Sequence, residues 1–430
     1  MSEPRFSQSG AALQFHTLLA DFARFGATAA GGVHRLCGSA EDGAARRHLA
    51  TWLTAHGATV TVDAVGNMFG IFPLAGEGAP LVMAGSHLDS QPKGGRFDGT
   101  AGVAAAACAA LTLMEARRSG ARFNANLCVV NWTNEEGARF RPSILGSGTY
   151  AGHFTADFAL SRTDDDGISL SDALEAIGFR GTEPAPPMPL AYLELHIEQG
   201  ASLEQAGAAI GVVTRNWGAT KVEAAFVGEQ AHTGPCPMDQ RRDALLAAGH
   251  VIVGVRALAD RFPGVLYSSI GRMKIEPNSA NVVPARTELS IELRSLVDAV
   301  LETASAELHG LLAKAAELAG VKLQRLGESR RGIRTLPPAI GALVMESAAR
   351  AGLTSMPVDT VAGHDALSLI GLCPVGLMFV PSAGGISHNE AEYTSPRDLE
   401  AGLAVMTDVL SNLCREGAVP EAFLLERASA

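Results

Sequence analysis

The stretch that most constrains this chain is residues 81–103, which read LVMAGSHLDSQPKGGRFDGTAGV. An apolar run at its start predicts a buried strand. Because side chains alternate along a strand, His87 and Asp89 should leave the sheet on the same side. Asp98 then closes a glycine-rich loop at the start of an alanine-rich helix predicted over 101–116. These side chains would lie at the carboxyl end of a strand, where open α/β sheets bind ligands.

This pattern is compatible with a metal site and also with a structural histidine that binds no metal. His87 can ligate a metal while Asp89 hydrogen-bonds to its other ring nitrogen, an arrangement typical of metal-binding histidines. Taken alone, His87 is equally well explained as a structural histidine beside solvated loop carboxylates. The rest of the chain decides between the two interpretations.

Length and composition narrow the class of protein. A chain of 430 residues favours two domains over a single core. The net charge is −11 and no basic stretch is interleaved with aromatic residues, which argues against nucleic acid as a partner. The six cysteines form no C-x-x-C pair, which argues against a disulfide framework or a thiolate zinc site. No apolar run is long enough to span a bilayer and the polar amino terminus lacks a secretion signal, so we expect a cytoplasmic protein without membrane partners.

Strands and helices alternate in the first half of the chain, and the same alternation returns near the end. It predicts an α/β fold with a mostly parallel sheet flanked by helices. Between about 210 and 330, two long helices lie among strands of antiparallel type, which predicts a smaller α+β domain inserted into the first. The predicted catalytic domain comprises two segments, 1–212 and 333–430, and the inserted domain comprises 213–332.

Four predicted strand ends carry side chains that can bind metal. They are His87 with Asp98, the pair Glu135–Glu136, His196 and His388. Nitrogen and oxygen ligands without a thiolate suit Zn, Mn, Co or Ni. Three imidazoles with several carboxylates exceed one tetrahedral site, and they fit two metals that share a bridging carboxylate. Asp98 is the predicted bridge between them.

The adjacent glutamates need not face the same way. One of Glu135 and Glu136 can bind metal while the other faces the bridging water as a general base. Each group also has an ordinary explanation, since His196 can cap a strand and paired glutamates usually form a solvated turn. Four such groups after four apolar strands favour the metal site.

Seven segments of the chain resemble the motifs of one family. They are GSHLDSQPKGGRFDG, NEEGARF, ELHIEQG, GEQAHTGPCPM, PNSANVVP, AGHDA and SAGGISHN, which lie in the family's order between residues 85 and 392. They resemble the hydantoinase/carbamoylase branch of the dinuclear metallo-amidohydrolases. That branch includes N-carbamoyl-L-amino-acid hydrolases, β-ureidopropionase and allantoate amidohydrolase.

The resemblance implies a set of metal ligands and a general base. The implied ligands are His87, Asp98 and His196 for one metal, and Asp98, Glu136 and His388 for the other. Glu135 is implied as the catalytic base, with Asp89 supporting catalysis beside the first metal. The resemblance also implies that the inserted domain, 213–332, is a lid that carries a homodimer interface, and that the peptide bond after Asp98 is cis.

The implied substrate contacts lie mostly in the later motifs. They are Gln199, His232, Asn281, Arg294, Gly363 and His364. Arg294 is suited to a bidentate hydrogen bond with a substrate carboxylate. His232 is suited to donating to the oxyanion of a tetrahedral intermediate, which would make it catalytic as well. The ordinary alternatives are a helix N-cap at His364, a turn at Asn281 and a structural ion pair at Arg294.

One segment departs from the family's pattern. Relatives carry a Gln-Arg or Arg-Trp type of stretch after the glycine at 218, where this chain has Ala219-Thr220-Lys221. Because that stretch helps to shape the pocket in relatives, the departure concerns the substrate and leaves the chemistry unchanged.

The expected activity is hydrolysis of a linear C–N amide bond in an N-carbamoyl-L-amino acid, giving the amino acid, ammonia and CO2. It would use two divalent metal ions per subunit, Zn or else Mn, Co or Ni. The alternatives are allantoate or another N-acyl amino acid as substrate and, from a different class, a non-catalytic metal-binding homologue. No G-x-S-x-G segment supports a serine nucleophile. The expected partners are a small ureido or N-acyl amino acid and a second copy of the chain.

Overall fold

A computed structural model describes residues 10–415, and the chain divides into two compact units. The first unit ends at Thr214 and resumes at Leu336, and the second is the continuous segment Arg215–Thr335. The catalytic and lid roles of these units stay predictions. The expectation about secretion concerns the amino terminus, and residues 1–9 lie outside the described residues.

The regular elements follow in chain order. The strands are β1 Thr59–Val62, β2 Met68–Phe72, β3 Leu81–His87, β4 Asn126–Trp132, β5 Ala191–Ile197, β6 Ile210–Asn216, β7 Gly218–Val227, β8 Ala231–His232, β9 Leu266–Glu276, β10 Val282–Val283, β11 Arg286–Ser295, β12 Lys322–Arg331, β13 Ser355–Thr360 and β14 Val375–Val380. The helices are α1 Gly10–Arg24, α2 Ala40–Ala55, α3 Thr100–Arg118, α4 Leu145–Tyr150, α5 Ala156–Leu160, α6 Leu170–Ala176, α7 Ser202–Ala206, α8 Ala244–Asp260, α9 Asp298–Ala319, α10 Pro338–Arg350 and α11 Pro396–Cys414. Short 3₁₀ helices lie at Met238–Gln240, Asp365–Leu369 and Ala383–Gly385.

The first unit is built on an eight-stranded sheet of order β1-β2-β4-β3-β5-β14-β6-β13. Its central strands β4, β3, β5 and β14 pair in parallel. Strands β1, β2 and β6 add to them in antiparallel pairs. Every residue of the four central strands is buried, as expected for a parallel sheet covered on both faces. The predicted α/β fold with a parallel-rich sheet flanked by helices is confirmed.

Helix α3 packs directly on the central strands because its residues are small. Its first half is mostly alanine and is completely buried. At Gly102 an added Cβ would lie 2.3 Å from the backbone oxygen of Leu195 on β5, so only glycine permits this approach. The close packing fixes the amino end of α3, where Asp98 lies, against the carboxyl ends of the central strands.

The second unit contains a four-stranded antiparallel sheet of order β12-β7-β11-β9. Helices α8 and α9 cover one face through a separate apolar core. Strand β11 alternates between buried residues that face the helices and partly exposed residues on the other, open face. The short strands β8 and β10 form a separate antiparallel pair.

Two further observations bear on the sequence expectations. None of the helices between residues 10 and 415 is long and apolar enough to cross a membrane. Within the same range the cis peptide bonds are Arg141–Pro142 and Glu276–Pro277. The implied cis bond between Asp98 and Gly99 is therefore wrong for this structure, in which Gly99 itself takes a positive φ of 62°.

Candidate metal centre

The five predicted metal ligands come together at the carboxyl ends of the parallel strands. They form two groups, His87 with Asp98 and His196, and Asp98 with Glu136 and His388. Within each group the ligand atoms lie within 4.8 Å of one another. Asp98 belongs to both groups, although its ligand partners come from four separate segments, namely the ends of β3 and β5 and the loops that follow β4 and β14.

Asp98 lies between the three imidazoles. Its Oδ1 atom is 3.0 Å from Nε2 of His196 and 3.4 Å from Nε2 of His87. Its Oδ2 atom is 3.4 Å from Nε2 of His388, and that nitrogen is also 3.4 Å from Oε2 of Glu136. The two oxygens of one carboxylate therefore face two different groups, which is the arrangement of a bridging carboxylate.

Backbone carbonyls orient the rings of His87 and His196. Nδ1 of His87 lies 2.9 Å from the carbonyl oxygen of Asp89, and Nδ1 of His196 lies 2.9 Å from that of Ile197. A carbonyl only accepts hydrogen bonds, so in the neutral rings Nδ1 carries the proton and Nε2 keeps a lone pair. Both lone pairs face Asp98, as a metal ligand requires.

The structure corrects the predicted contact of Asp89. Its carboxylate does not hold the His87 ring, since Nδ1 of His87 lies 3.8 Å from Asp89 Oδ1. The two carboxylate oxygens instead accept hydrogen bonds from the backbone N–H groups of Glu135 and Glu136, both at 3.2 Å. Buried backbone N–H groups need acceptors, and the Asp89 carboxylate supplies them to these two. Asp89 thus positions both glutamates.

The two glutamates do face different ways. Glu136 accepts hydrogen bonds from the backbone and the side chain of Gln91, at 3.1 and 2.8 Å. Glu135 Oε2 lies 3.6 Å from Nε2 of His87, and the residue is 8% exposed. One carboxylate therefore belongs to the His388 group and the other borders the His87 group.

Gly99 is required by the packing of the two buried imidazoles. A Cβ at this position would lie 2.4 Å from the ring of His87, and the positive φ also favours glycine. Its backbone N–H donates to Nε2 of His196 at 3.2 Å, which agrees with a lone pair on that nitrogen.

Glu392 is a member of the site that sequence reasoning missed. Its buried carboxylate accepts hydrogen bonds from the backbone N–H groups of Phe97 and Asp98, at 3.0 and 3.1 Å. The other oxygen accepts from the hydroxyl of Ser387 at 3.0 Å. Glu392 therefore ties the Asp98 loop to the loop that carries His388. The only sequence signal was an acid four residues after that histidine, and such loop acids are usually solvated.

Gln199 contacts the shared carboxylate directly. Its Nε2 donates to Asp98 Oδ2 at 2.8 Å, and the residue adopts a positive φ of 59°. Its Oε1 atom is buried without a hydrogen-bond partner. The amide thus holds one oxygen of Asp98 and keeps an acceptor free at the same place.

Burial and charge act in opposite directions on the site's pKa values. Burial alone would lower the pKa of His388, but hydrogen bonding to Asp98 and the charge of Glu136 raise it to about 9. Burial, together with the charge of Asp98, raises the pKa of Glu136 to about 7. Burial would also raise the pKa of Asp98, yet His196 and its neighbours hold it well below the usual range. The buried carboxylates of the site therefore favour positive charge beside them.

His364 and Gly363 lie in the first unit, on the loop before the 3₁₀ helix Asp365–Leu369. The His364 ring is buried and its centroid is 4.5 Å from that of His196. Its Nε2 lies 3.0 Å from the hydroxyl of Thr360, and its side chain does not cap the 3₁₀ helix. The alternative that the His364 side chain caps a helix is therefore wrong for this structure.

The other three predicted substrate residues lie in the second unit. His232 is exposed on β8, and its Nδ1 accepts from the N–H of Gly234 at 3.0 Å. The β8–β10 pairing places it beside Asn281, whose carbonyl accepts from the N–H of Thr233 at 3.2 Å. Arg294 lies on the open face of β11 and forms the ion pair that was its ordinary alternative, with Glu292 at 2.9 Å.

A parallel-rich α/β sheet with two overlapping groups of histidine and carboxylate at its strand ends is the arrangement expected of a metal-dependent hydrolase. Residues 83–412 match peptidase family M20/M25/M40, and the chain belongs to this family. It is 36% identical to the N-carbamoyl-L-amino-acid amidohydrolase of Rhizobium meliloti, over 90% of this chain and 93% of the relative. It is 35% identical to the allantoate amidohydrolase of Bacillus subtilis (strain 168), over 91% and 95%.

Solved structures agree with these relatives. A crystal structure of a hydantoinase/carbamoylase family amidase from Burkholderia vietnamiensis superposes with a TM-score of 0.91 at 37% identity, covering 96% of this chain and 100% of that one. The predicted resemblance to the hydantoinase/carbamoylase branch is confirmed. The chain is a hydrolase that acts on carbon–nitrogen bonds other than peptide bonds.

Proposed function

We propose that this chain hydrolyses the linear amide bond of an N-carbamoyl-L-amino acid with the help of two divalent metal ions. The observation that carries the proposal is the position of Asp98, whose two oxygens face two separate groups of possible ligands. The relatives named above support the substrate class, since the R. meliloti relative acts on N-carbamoyl-L-amino acids.

The residues fit the metal ions. His87, Asp98 and His196 would hold one ion, and Asp98, Glu136 and His388 would hold the other. Imidazole and carboxylate donors suit Zn, Mn, Co or Ni, and the Nε2 lone pairs of His87 and His196 both face the shared carboxylate. When bound, such ions polarise a carbonyl oxygen and lower the pKa of a water.

Glu135 is proposed as the general base. It takes a proton from the water that adds to the carbamoyl carbon, and it returns that proton to the departing nitrogen of the amino acid. The carbamic acid that remains breaks down to ammonia and CO2. Burial raises the pKa of Glu135 well above its usual range, which suits a group that must both accept and release a proton. Asp89 holds the backbone N–H of Glu135 and thereby positions it.

The substrate contacts remain proposals that rest on the resemblance. They are Gln199, His232, Asn281, Arg294, Gly363 and His364. Arg294 is suited to the carboxylate of the substrate and His232 to the oxyanion of the tetrahedral intermediate. A homodimer formed through the second unit and a cytoplasmic location belong to the same proposal.

A substrate panel with measured metal content tests the function. The purified chain is loaded with Mn, Co, Zn or Ni and assayed with N-carbamoyl-L-amino acids, allantoate and N-acetyl-L-amino acids. We expect release of amino acid and ammonia from the carbamoyl compounds. Absence of carbamoyl hydrolysis with two metals bound per subunit would refute the proposal. Faster turnover of allantoate would establish the alternative substrate, which the B. subtilis relative supports.

A further inference from the structure

Arg35 lies on the segment between α1 and α2, and its side chain is buried. Its guanidinium donates four hydrogen bonds, and every acceptor is a neutral oxygen. Two of the acceptors are carbonyls at the end of α1, those of Phe22 and Phe25, at 2.7 and 2.9 Å from Nη1. The carboxyl end of a helix carries a partial negative charge, so it favours a cation at this place. Helix α1 thus fixes one side of the guanidinium.

The other side of the guanidinium contacts two turns of the metal centre. Nε donates to the carbonyl of Leu88 at 2.6 Å, and Nη2 donates to Oγ1 of Thr100 at 3.0 Å. Leu88 lies between His87 and Asp89. Thr100 begins α3, two residues after Asp98. One side chain therefore joins the turn that carries His87 to the turn that carries Asp98.

The backbone of residue 35 holds the first of these turns a second time. Its N–H donates to Oγ of Ser90, and its carbonyl accepts from the N–H of Ser90, both at 2.9 Å. Leu88 and Ser90 are therefore both fixed by Arg35, and Asp89 lies between them. The carbonyl of Asp89 orients the His87 ring, so the contacts of Arg35 reach a proposed ligand through a single residue.

The charge of Arg35 is buried without a carboxylate among these acceptors. Burial lowers the pKa of Arg35 to about 10, and the charges of Asp42 and Asp89 act against that decrease. Arg46 is also buried, but it pairs directly with Asp42 at 2.8 Å. Burying a charge is costly, and an apolar side chain of similar volume often serves packing better. The contacts of Arg35, rather than its packing, therefore explain why a guanidinium lies here.

We propose that Arg35 is a positioning residue that sets the separation of His87 and Asp98 and so strengthens the binding of a divalent ion by their group. The inference rests on the proposed function, in which His87, Asp98 and His196 hold one metal ion. The planar guanidinium presents donors in several fixed directions, whereas the donors of a lysine ammonium share one nitrogen. A lysine would keep the positive charge but could not reach both turns and α1 at once. Arg35→Lys therefore separates the role of the contacts from the role of the charge.

The test measures ion binding to the His87 group alone. His388→Ala removes a proposed ligand of the other ion, and Mn²⁺ binding to this parent is measured by calorimetry. Adding Arg35→Lys should weaken that binding by about 10–100-fold, the range typical of residues that orient metal ligands. Thr100→Val removes only one of the four acceptors and keeps the shape of the side chain. It should weaken Mn²⁺ binding by about threefold, and it still tests the contacts if Arg35→Lys fails to fold.

Arg46 provides a matched control. Its guanidinium is also buried in the first unit, where it donates to the carbonyl of Gly66 at 2.7 Å and to Oγ1 of Thr133 at 3.3 Å. Neither acceptor lies on the two turns that Arg35 joins. Arg46→Lys should also lower the free energy of unfolding in urea, but it should leave the affinity for Mn²⁺ within about twofold. A merely structural role for Arg35 would make the two variants alike in both measurements.

Two outcomes would overturn the inference. One is an unchanged Mn²⁺ affinity in Arg35→Lys, and the other is an equal loss of affinity in Arg46→Lys. If neither the His388→Ala parent nor the wild-type chain binds Mn²⁺, the proposed function fails, and hydrogen exchange of the metal-free chain still tests the contacts. Backbone exchange over residues 87–100 should then be about tenfold faster in Arg35→Lys than in Arg46→Lys, and equal exchange would refute the positioning role.

Discussion

The metal centre of the first unit and the open sheet face of the second unit both arrange charged side chains, but they hold them by different means. Asp98, Glu136 and Glu392 accept hydrogen bonds from backbone N–H groups or from side chains fixed on neighbouring loops. On the sheet face, Glu292 is held by the side chains of Arg294 and Lys221. The backbone cannot re-pair without local unfolding, whereas side chains on a sheet exchange partners readily.

This difference explains what each region can do. Backbone contacts fix the positions of buried ligands before any ion binds, which favours metal chemistry that needs accurate geometry. Ion pairs between partly exposed side chains contribute little to stability, so a substitution on the sheet face should disturb its surroundings less. We therefore expect substitutions in the first region to have larger effects than substitutions in the second.

The largest effect should come from the bridging carboxylate. Asp98→Asn removes the charge that faces both groups of ligands, so both ions should bind weakly and activity should fall to background. Chelator treatment of the wild type should give the same loss, and addition of Mn, Co, Zn or Ni should restore only the wild type. Metal content measured by mass spectrometry and turnover check this prediction. Two ions retained in the variant would contradict the shared role of Asp98.

Glu135→Gln should keep both ions and lose turnover. General acid–base groups contribute about 10²–10⁴-fold, and kcat should fall by that factor because glutamine cannot accept the proton. The exposed residue Glu77 supplies the matched control, since Glu77→Gln should keep normal kcat. Near-normal kcat in Glu135→Gln, with two ions bound, would assign the base to another group.

The third prediction concerns stability and a buried ion pair in the first unit. Arg46 and Asp42 on α2 are both fully buried and lie 2.8 Å apart. Asp42→Asn leaves a buried guanidinium without its charge partner, which should cost about 3–5 kcal/mol of the free energy of unfolding. Asp408→Asn, which breaks the exposed pair with Arg350, is the comparison and should change the free energy of unfolding far less. Urea denaturation measures both, and equal costs would refute the argument from burial.

These residues also show what sequence alone can supply. The convergence of the five proposed ligands was predictable because each ends or follows an apolar strand, and parallel strands bring their carboxyl ends to one edge. The contact between Asp89 and the His87 ring was not predictable in detail. The carboxylate and the backbone carbonyl of Asp89 belong to the same residue, so the sequence cannot tell which of them accepts from His87. Glu392 was missed because its partners Phe97 and Asp98 lie almost 300 positions away.

Some elements of the fold escaped prediction for local reasons. Strand β13 has Pro357 in its middle, and proline argues against a strand except at a sheet edge, which is where β13 lies. Helices α4, α5 and α6 have only 5 to 7 residues, too few for a helical repeat to be visible. The long helices α8 and α9 were predictable as two long helices because their apolar spacing runs over several turns.

Glu392→Gln should have an effect of intermediate size on the first unit. Glu392 binds no metal in our proposal, but it holds the backbone of Asp98 and the hydroxyl of Ser387 near His388. Residues that orient metal ligands typically contribute about 10–100-fold to metal affinity, and we expect a loss in that range with kcat largely recovered at saturating metal. Glu390→Gln, in the same loop, is the control. A loss of kcat that saturating metal does not recover would place Glu392 in the chemistry itself.

The smallest effect should come from an exposed ion pair in the second unit. Asp260, the last residue of α8, lies 2.8 Å from Arg256 one turn earlier, and more than half of each side chain is exposed. Such a pair stabilises a helix by about 0.3–0.5 kcal/mol, while an acid at the carboxyl end of a helix opposes the helix dipole by a similar amount. Asp260→Asn should therefore change the free energy of unfolding by less than about 0.5 kcal/mol.

Asp243→Ala provides the contrast on the same helix. Asp243 caps the first turn by accepting from the N–H groups of Leu245 and Leu246, so its replacement should cost about 1 kcal/mol of the free energy of unfolding. If Asp260→Asn cost more than Asp243→Ala, exposed charges of the second unit would be held as firmly as those of the metal centre, and the proposed contrast between the two regions would be wrong.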